Sequence, residues 1–152
     1  DGGTLRDTSS YVQQVPTPGS SNEGVGGYGI WAATNIPSGL DASVFGDPDG
    51  DGDSNLYEYN TRLVPTDPAS FLNITVIPGP NAGQGVAAGQ AKLTLSPAKP
   101  NVTYTIEYKY SLLDPHWTIL TAIIGADTTL SHTDTSVAGV QKFYRVRPSR
   151  VP

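Results

Sequence analysis

One twelve-residue run does most to limit how this chain can fold: Asp47-Pro48-Asp49-Gly50-Asp51-Gly52-Asp53-Ser54-Asn55-Leu56-Tyr57-Glu58. Aspartates stand at its first, third and fifth places, glycine at its sixth and glutamate at its twelfth. That spacing is the pattern of a calcium loop. Ca2+ is a hard cation that takes about six to eight oxygen ligands. Asp47, Asp49 and Asp51 offer carboxylates, Asp53 its backbone carbonyl, Asn55 an oxygen from the ninth place, and Glu58 two oxygens that close the loop. Gly52 sits where the backbone must turn sharply. Without a cation, four aspartates on alternate residues repel one another. A solvated charged turn is also acidic, but it has no need of glycine and glutamate at these two offsets.

The flanks of the run extend the reading. A helix is predicted to leave the loop near Ser54 and to reach about Leu63. Leu56, Tyr59 and Leu63 share a face at helical spacing, and Pro65 ends the segment. Leu40, Val44 and Phe45 are expected to pack against it. Ile30–Ala33 reads as a short helical turn anchored by Trp31. No full entering helix is visible, so the loop has one good helix rather than two. Residues 1–29 are dominated by Gly, Ser, Thr, Pro and Asn. They read as an extended low-complexity arm, with one strand-like run at Tyr11-Val12-Gln13-Gln14-Val15 that Pro16 ends. Gly24–Gly29 satisfies G-x-G-x-x-G, but no strand precedes it and no long amphipathic helix is expected after it. Dinucleotide binding is not indicated.

Beyond residue 70 the period changes to two. Phe71–Ile77, Ala91–Leu95, Thr103–Tyr110, Trp117–Ile123, Thr129–Thr133 and Lys142–Val146 alternate apolar with polar residues. Clusters of Gly, Pro, Asn and Asp separate them. Six or seven short strands at this spacing predict a mainly β protein built as a sandwich. Trp117 is the expected core aromatic, and Tyr104, Ile106 and Tyr108 are expected to share one face. The division is therefore an arm over 1–29, a loop–helix segment over 30–70 and a β-sandwich domain over 71–152.

Two family resemblances follow from these residues. Phe45 through Tyr59, followed by Pro65-Thr66-Asp67-Pro68, resembles the bacterial calcium-binding repeats related to thrombospondin type 3 repeats, which typically read DPDGDGxSNxxEY…TDP. The resemblance implies a calcium site outside the cytoplasm, with Asp67 capping or joining it. The chain carries a single copy, so a rod of calcium-strung repeats is not implied. Tyr104–Trp117 together with Phe143-Tyr144-Arg145-Val146-Arg147 resembles the C-terminal fibronectin type III-like modules of large secreted bacterial proteins. That implies an immunoglobulin-like or fibronectin type III-like sandwich.

Composition narrows the function classes. There is no cysteine, which removes disulfides, thiol catalysis and cysteine zinc sites. There is no methionine either, even at position 1, so a processed product or a fragment is expected, and no stretch reads as a signal peptide. No apolar run approaches the roughly 20 residues of a membrane span. Residues 1–70 hold ten acids against Arg6 and Arg62, whereas residues 71–152 hold four acids against seven bases. Opposite charges on the two halves favour attraction between copies. The bases form no dense stripe, so nucleic acid is not an expected partner. His116 and His132 lack neighbours that would make a catalytic triad, no hydrolase or zinc-protease motif appears, and the carboxylates cluster where a cation would occupy them. An enzyme is not expected. Asn73-Ile74-Thr75 and Asn101-Val102-Thr103 fit the glycosylation sequon, leaving Asn73 and Asn101 as candidate sites. The expectation is an extracellular or cell-surface, calcium-stabilised structural protein, a filament or surface-layer subunit that associates through its arm at Tyr11, Val12 and Val15. The alternative is a calcium-dependent binding or anchoring module of a larger secreted enzyme or adhesin, with carbohydrate as a candidate ligand.

Overall fold

Alternating residues at a period of two build a two-layered β structure. The computed structural model describes residues 25–139 and 141–151. The run Tyr11–Val15, and with it the expected contacts of Tyr11, Val12 and Val15, lies outside the described residues. The strands are β1 (Asn73–Pro78), β2 (Ala91–Ala98), β3 (Val102–Lys109), β4 (Thr118–Ile124), β5 (Thr128–Asp134) and β6 (Phe143–Arg150). One sheet has the order β1-β2-β5 and the other β4-β3-β6, with every pairing antiparallel. All six predicted strands form. The chain is mainly β with two short helices, and its sheets stack as a sandwich.

The alternation decides what fills the space between the layers. Leu93 and Leu95 of β2 and Val102, Tyr104 and Ile106 of β3 are fully buried. Leu120, Ile123, Leu130, Tyr144 and Val146 pack around them. The central strand of each sheet thus supplies the core, and the edge strands its margin. Pro148 lies in β6, an edge strand, where a residue without an N–H is tolerated.

Trp117 departs from expectation. It precedes β4 in the β3–β4 hairpin, outside the paired residues, and is only half-buried. Its ring holds Lys109 Nζ at 4.6 Å and Arg145 Cζ at 4.5 Å from the centroid. An indole flanked by cations is satisfied outside a core. Tyr104 is the core aromatic instead, and its hydroxyl accepts from the Lys99 N–H at 2.8 Å.

Helix α1 (Val25–Asn35) is a second correction. The sequence reads as an arm through residue 29 and a single turn after it. The helix instead begins within the glycine-rich run. Tyr28, Trp31 and Tyr59 pack as a triangle with ring centroids 5.5–5.6 Å apart. A Cβ on Gly27 would meet the Tyr59 hydroxyl at 2.8 Å. Aromatic packing therefore outweighs poor intrinsic helix propensity, and glycine is what lets the two elements approach.

Helix α2 (Asn55–Thr61) follows the acidic loop, as its spacing predicts. Ser54 caps it by accepting from the Tyr57 N–H, and Arg62 ends it in the left-handed conformation at φ 60°. Leu63 belongs to the core, and Tyr57 packs against it. The guanidinium of Arg150, at the end of β6, lies 4.6 Å from the Tyr59 ring centroid. The loop–helix segment is thus seated on one end of the sandwich. Among the described residues, no helix is long and apolar enough to cross a membrane.

Candidate metal centre

The base of the acidic loop is clamped before any side chain is considered. Asn55 N–H donates to the Gly46 carbonyl at 2.8 Å, and Leu56 N–H to the Val44 carbonyl at 3.1 Å. The Asn55 amide adds two bonds, from Nδ2 to the carbonyls of Asp41 and Ser43, both at 2.8 Å. Gly46 is buried in this clamp. A Cβ there would collide with the Asp41 carbonyl oxygen and stand 2.6 Å from Asn55 Nδ2. Gly46→Ala is expected to cost about 1–3 kcal/mol through overpacking against backbone. Thermal unfolding would show this as a melting point lower by several degrees; an unchanged curve would mean that the clamp can open without loss.

Within the loop, carboxylates fold the backbone around themselves. Asp47 Oδ1 accepts from Gly50 N–H at 2.8 Å and its Oδ2 from Gly52 N–H at 3.0 Å. Asp51 Oδ1 accepts from Asp53 N–H at 2.8 Å, and Asp49 Oδ1 from Asp51 N–H at 3.3 Å. Gly50 and Gly52 take positive φ, 76° and 100°. Gly52 turns the chain where the motif requires it. The result draws Asp47, Asp49 and Asp51 together, with one carboxylate oxygen from each within 4.8 Å of the others. This group can hold a metal ion.

The atoms left over are informative. Asp49 Oδ2, Asp51 Oδ2, Asn55 Oδ1 and both carboxylate oxygens of Glu58 are buried and hydrogen-bond to no described residue. Glu58 is fully buried. Burial, followed by the charges of Asp49, Asp51, Asp53 and Asp47, pushes its carboxyl up to about 8. Asp53 is also raised, by burial first and then by Asp51, Asp47 and Asp49. Asp49 is raised too, chiefly by burial. Buried polar groups are ordinarily paired. Five unpaired oxygens from four residues of one loop therefore form a donor set that suits a cation bound through oxygen.

The remaining sequence candidates stand differently. Asp53 and Glu58 do not join the aspartate trio in one group of mutually close oxygens, but Glu58 feels all four aspartates. Asp67 is exposed in its own turn, where its Oδ1 accepts from Ala69 N–H at 3.0 Å. Asn73 opens β1 and Asn101 occupies the β2–β3 turn at φ 57°; both are exposed. Phe45, expected against α2, is instead 86% exposed, and Leu40 is also exposed. The backbones of Val44 and Gly46 both meet α2, and Phe45 between them turns out. Sequence reasoning missed Gly46 and the double role of Asn55. A glycine immediately before the first aspartate was the available signal.

No protein-family model matches this chain, and comparison with curated proteins and with solved structures returns no match.

Proposed function

We propose that this chain is an extracellular, calcium-stabilised structural protein that assembles with further copies of itself as a filament or surface-layer subunit. The observation that carries the calcium reading is the buried, unpaired oxygen set of Asp49, Asp51, Asn55 and Glu58 beside the aspartate trio. All its donors are oxygens, which suits Ca2+ or Mg2+. The twelve-residue spacing with a closing glutamate favours Ca2+, which accepts a two-oxygen carboxylate and a flexible shell. Loops of this kind in extracellular modules bind with constants on the order of 10⁻⁴–10⁻³ M. Such a site fills where calcium is plentiful, which agrees with a working form outside the cytoplasm.

Calcium here acts as a staple. The loop is joined to the core through Tyr57 and Leu63 and to β6 through Arg150. A cation that holds the loop closed therefore holds α2 on the sandwich. The resemblance to thrombospondin type 3-like repeats agrees with this reading. The strand order also supports an immunoglobulin-like or fibronectin type III-like sandwich. With the strands lettered in chain order, β1-β2-β5 corresponds to A-B-E and β4-β3-β6 to C′-C-F. Assembly is supported by the unequal charge of the two halves and by strand edges that have no partner among the described residues.

The test is thermal unfolding with and without chelator. At about ten times the dissociation constant, calcium contributes roughly 1.4 kcal/mol. The melting temperature should fall by several degrees in EDTA and recover with added calcium but not with sodium chloride. An identical curve in EDTA would overturn the calcium reading. Light scattering and electron microscopy of the calcium-loaded chain test assembly separately.

A further inference from the structure

We propose that the open flank between β1 and β6 is completed by residues Tyr11–Val15 of a second copy, added as a seventh strand along the free edge of β6. The inference rests on the self-assembly reading above and names its contact.

The flank shows itself through register. Ile74 lies opposite Leu95, and Val76 opposite Leu93. Directly opposed residues of an antiparallel pair point to the same face. Leu93 and Leu95 are fully buried, so Ile74 and Val76 point between the sheets. They are nevertheless 42% and 41% exposed. On the other flank, Leu130 of β5 also lies opposite Leu95, yet it packs against the core. Among the described residues, the sandwich is closed on the β5 side and open on the β1 side.

The connections explain the asymmetry. Gly125 N–H donates to the Val102 carbonyl at 2.9 Å, and Asp127 N–H to the Ala98 carbonyl at 2.7 Å. These bonds tie the β4–β5 crossing to the β2–β3 turn, so β4 lies across from β5. In the order β4-β3-β6, β6 then falls on the side of β1. Its outer edge has no strand partner among the described residues. Helix α2 closes only the end of this flank, where Arg150 meets Tyr59. The edge above it has no strand partner among the described residues. Pro148 fits in β6 with its nitrogen toward that edge. By the period of two, Tyr144 and Val146 then turn their N–H and C=O groups to the same edge. In lettered terms the position along this edge, beside F, is that of strand G.

The occupant must be a short strand that offers backbone bonds to Tyr144 and Val146 and apolar side chains to Ile74 and Val76. Tyr11-Val12-Gln13-Gln14-Val15 has that length and composition, and Pro16 ends it. Charge is complementary at the ends. Residues 1–24 hold Asp1, Asp7 and Glu23 against Arg6, and the accepting strand carries Arg145, Arg147 and Arg150, the first two also paired with Glu107. Donation to a second copy joins two different surfaces head to tail, which generates an open filament rather than a closed pair. Strand addition of this kind satisfies the edge and the strand together.

The chain has no native cysteine, so crosslinking has no background. Val15→Cys and Val76→Cys chains, each checked for a native melting curve, are mixed in calcium and treated with a short bis-maleimide. Heterodimer should form on the order of tenfold more than in a mixture with Ile119→Cys, an exposed residue of β4. A crosslink confined to single chains of a Val15→Cys/Val76→Cys double variant would overturn the second copy as occupant. Filaments without any Val15–Val76 crosslink would overturn the flank as the contact but leave assembly standing. A wild-type chain that stays monomeric at every concentration in calcium would remove the assembly reading, and this inference with it.

Discussion

Glu58→Gln is expected to reverse the sign of its stability effect with the metal. In calcium the variant should melt below the wild type. In chelator at pH 8 it should melt above it. The reason lies in the geometry of one buried carboxylate. Glu58 is fully buried with two unpaired oxygens and four aspartates around it. Its ionised form is costly in the metal-free fold, and it becomes useful only as a two-oxygen ligand. Glutamine keeps the shape, removes the charge and offers one oxygen. Calcium affinity should drop by roughly 100-fold, since it depends on ligand charge. Asp51→Ala should weaken affinity comparably, because Asp51 loses both a ligand oxygen and the bond from Asp53 N–H. Asp67→Ala, in its separate turn, should leave affinity close to native. Calorimetric titration ranks the three.

The same residue sets a pH signature. Its carboxyl is raised in the folded, metal-free chain from 4.5 to about 8. The folded state therefore binds the proton more tightly than the unfolded chain does. Between these two values stability falls as pH rises. Metal-free wild type should gain melting temperature on acidification from about pH 8 toward 5, and Glu58→Gln should lack most of that slope. With calcium bound the wild-type slope should flatten or invert, because protons then compete with the ion. A metal-free wild type whose melting point is level over this range, or a variant that keeps the slope, would show that Glu58 is not the strained group.

How much of this was legible before the structure depends on how local each signal is. The shape of the twelve-residue run was legible, because the grouped Asp47, Asp49 and Asp51, the Gly52 turn and the helix start near Ser54 all lie within one short segment. The six strands were legible because alternation is a property of neighbours, as in Tyr104, Ile106 and Tyr108. Their ends were less so: β2 runs on through Pro97 to Ala98, where a cluster of turn residues reads as its end. Helix α1 was not legible. Its glycines argue against a helix, and what outweighs them is Tyr59, some thirty residues away. Trp117 misled because size suggests core, while its position before the first paired residue of β4 leaves it against Lys109 and Arg145. Glu107 points the same lesson from the other direction. Alternation places it on the outer face, yet it is buried beneath Arg145 and Arg147, two side chains from the end of the chain. Signals carried by pairings between distant segments were the ones missing.

The largest loss of stability away from the loop is expected from Lys142→Met. Lys142 Nζ and Asp134 Oδ2 are 2.8 Å apart, with side chains only 2% and 1% exposed. The same carboxylate accepts from the Tyr144 hydroxyl at 2.8 Å and from the Ser136 hydroxyl and N–H. The ammonium also lies 4.1 Å from the Tyr108 ring centroid. One ion pair thus fastens the end of β5 to the start of β6. Removing a single partner of a buried pair leaves the other charge stranded, which costs about 3–5 kcal/mol. For a domain of this size that is a fall of about 10 °C or more. Burial alone would raise the Asp134 carboxyl, but the bonds from Lys142, Ser136 and Tyr144 outweigh it and hold the group well below its ordinary 3.8. Its contribution is therefore complete above the unfolded value of 3.8 and is lost as pH falls through the lower folded one. Wild type should resist acid to below pH 4, and Lys142→Met should unfold at a higher pH than wild type. Replacing both partners, Lys142→Met with Asp134→Leu, removes the stranded charge and should recover part of the loss despite two substitutions. A Lys142→Met protein with the wild-type melting point and acid midpoint would mean that the strands are held by apolar contacts alone. A double variant that is simply additive would mean that the two side chains act independently.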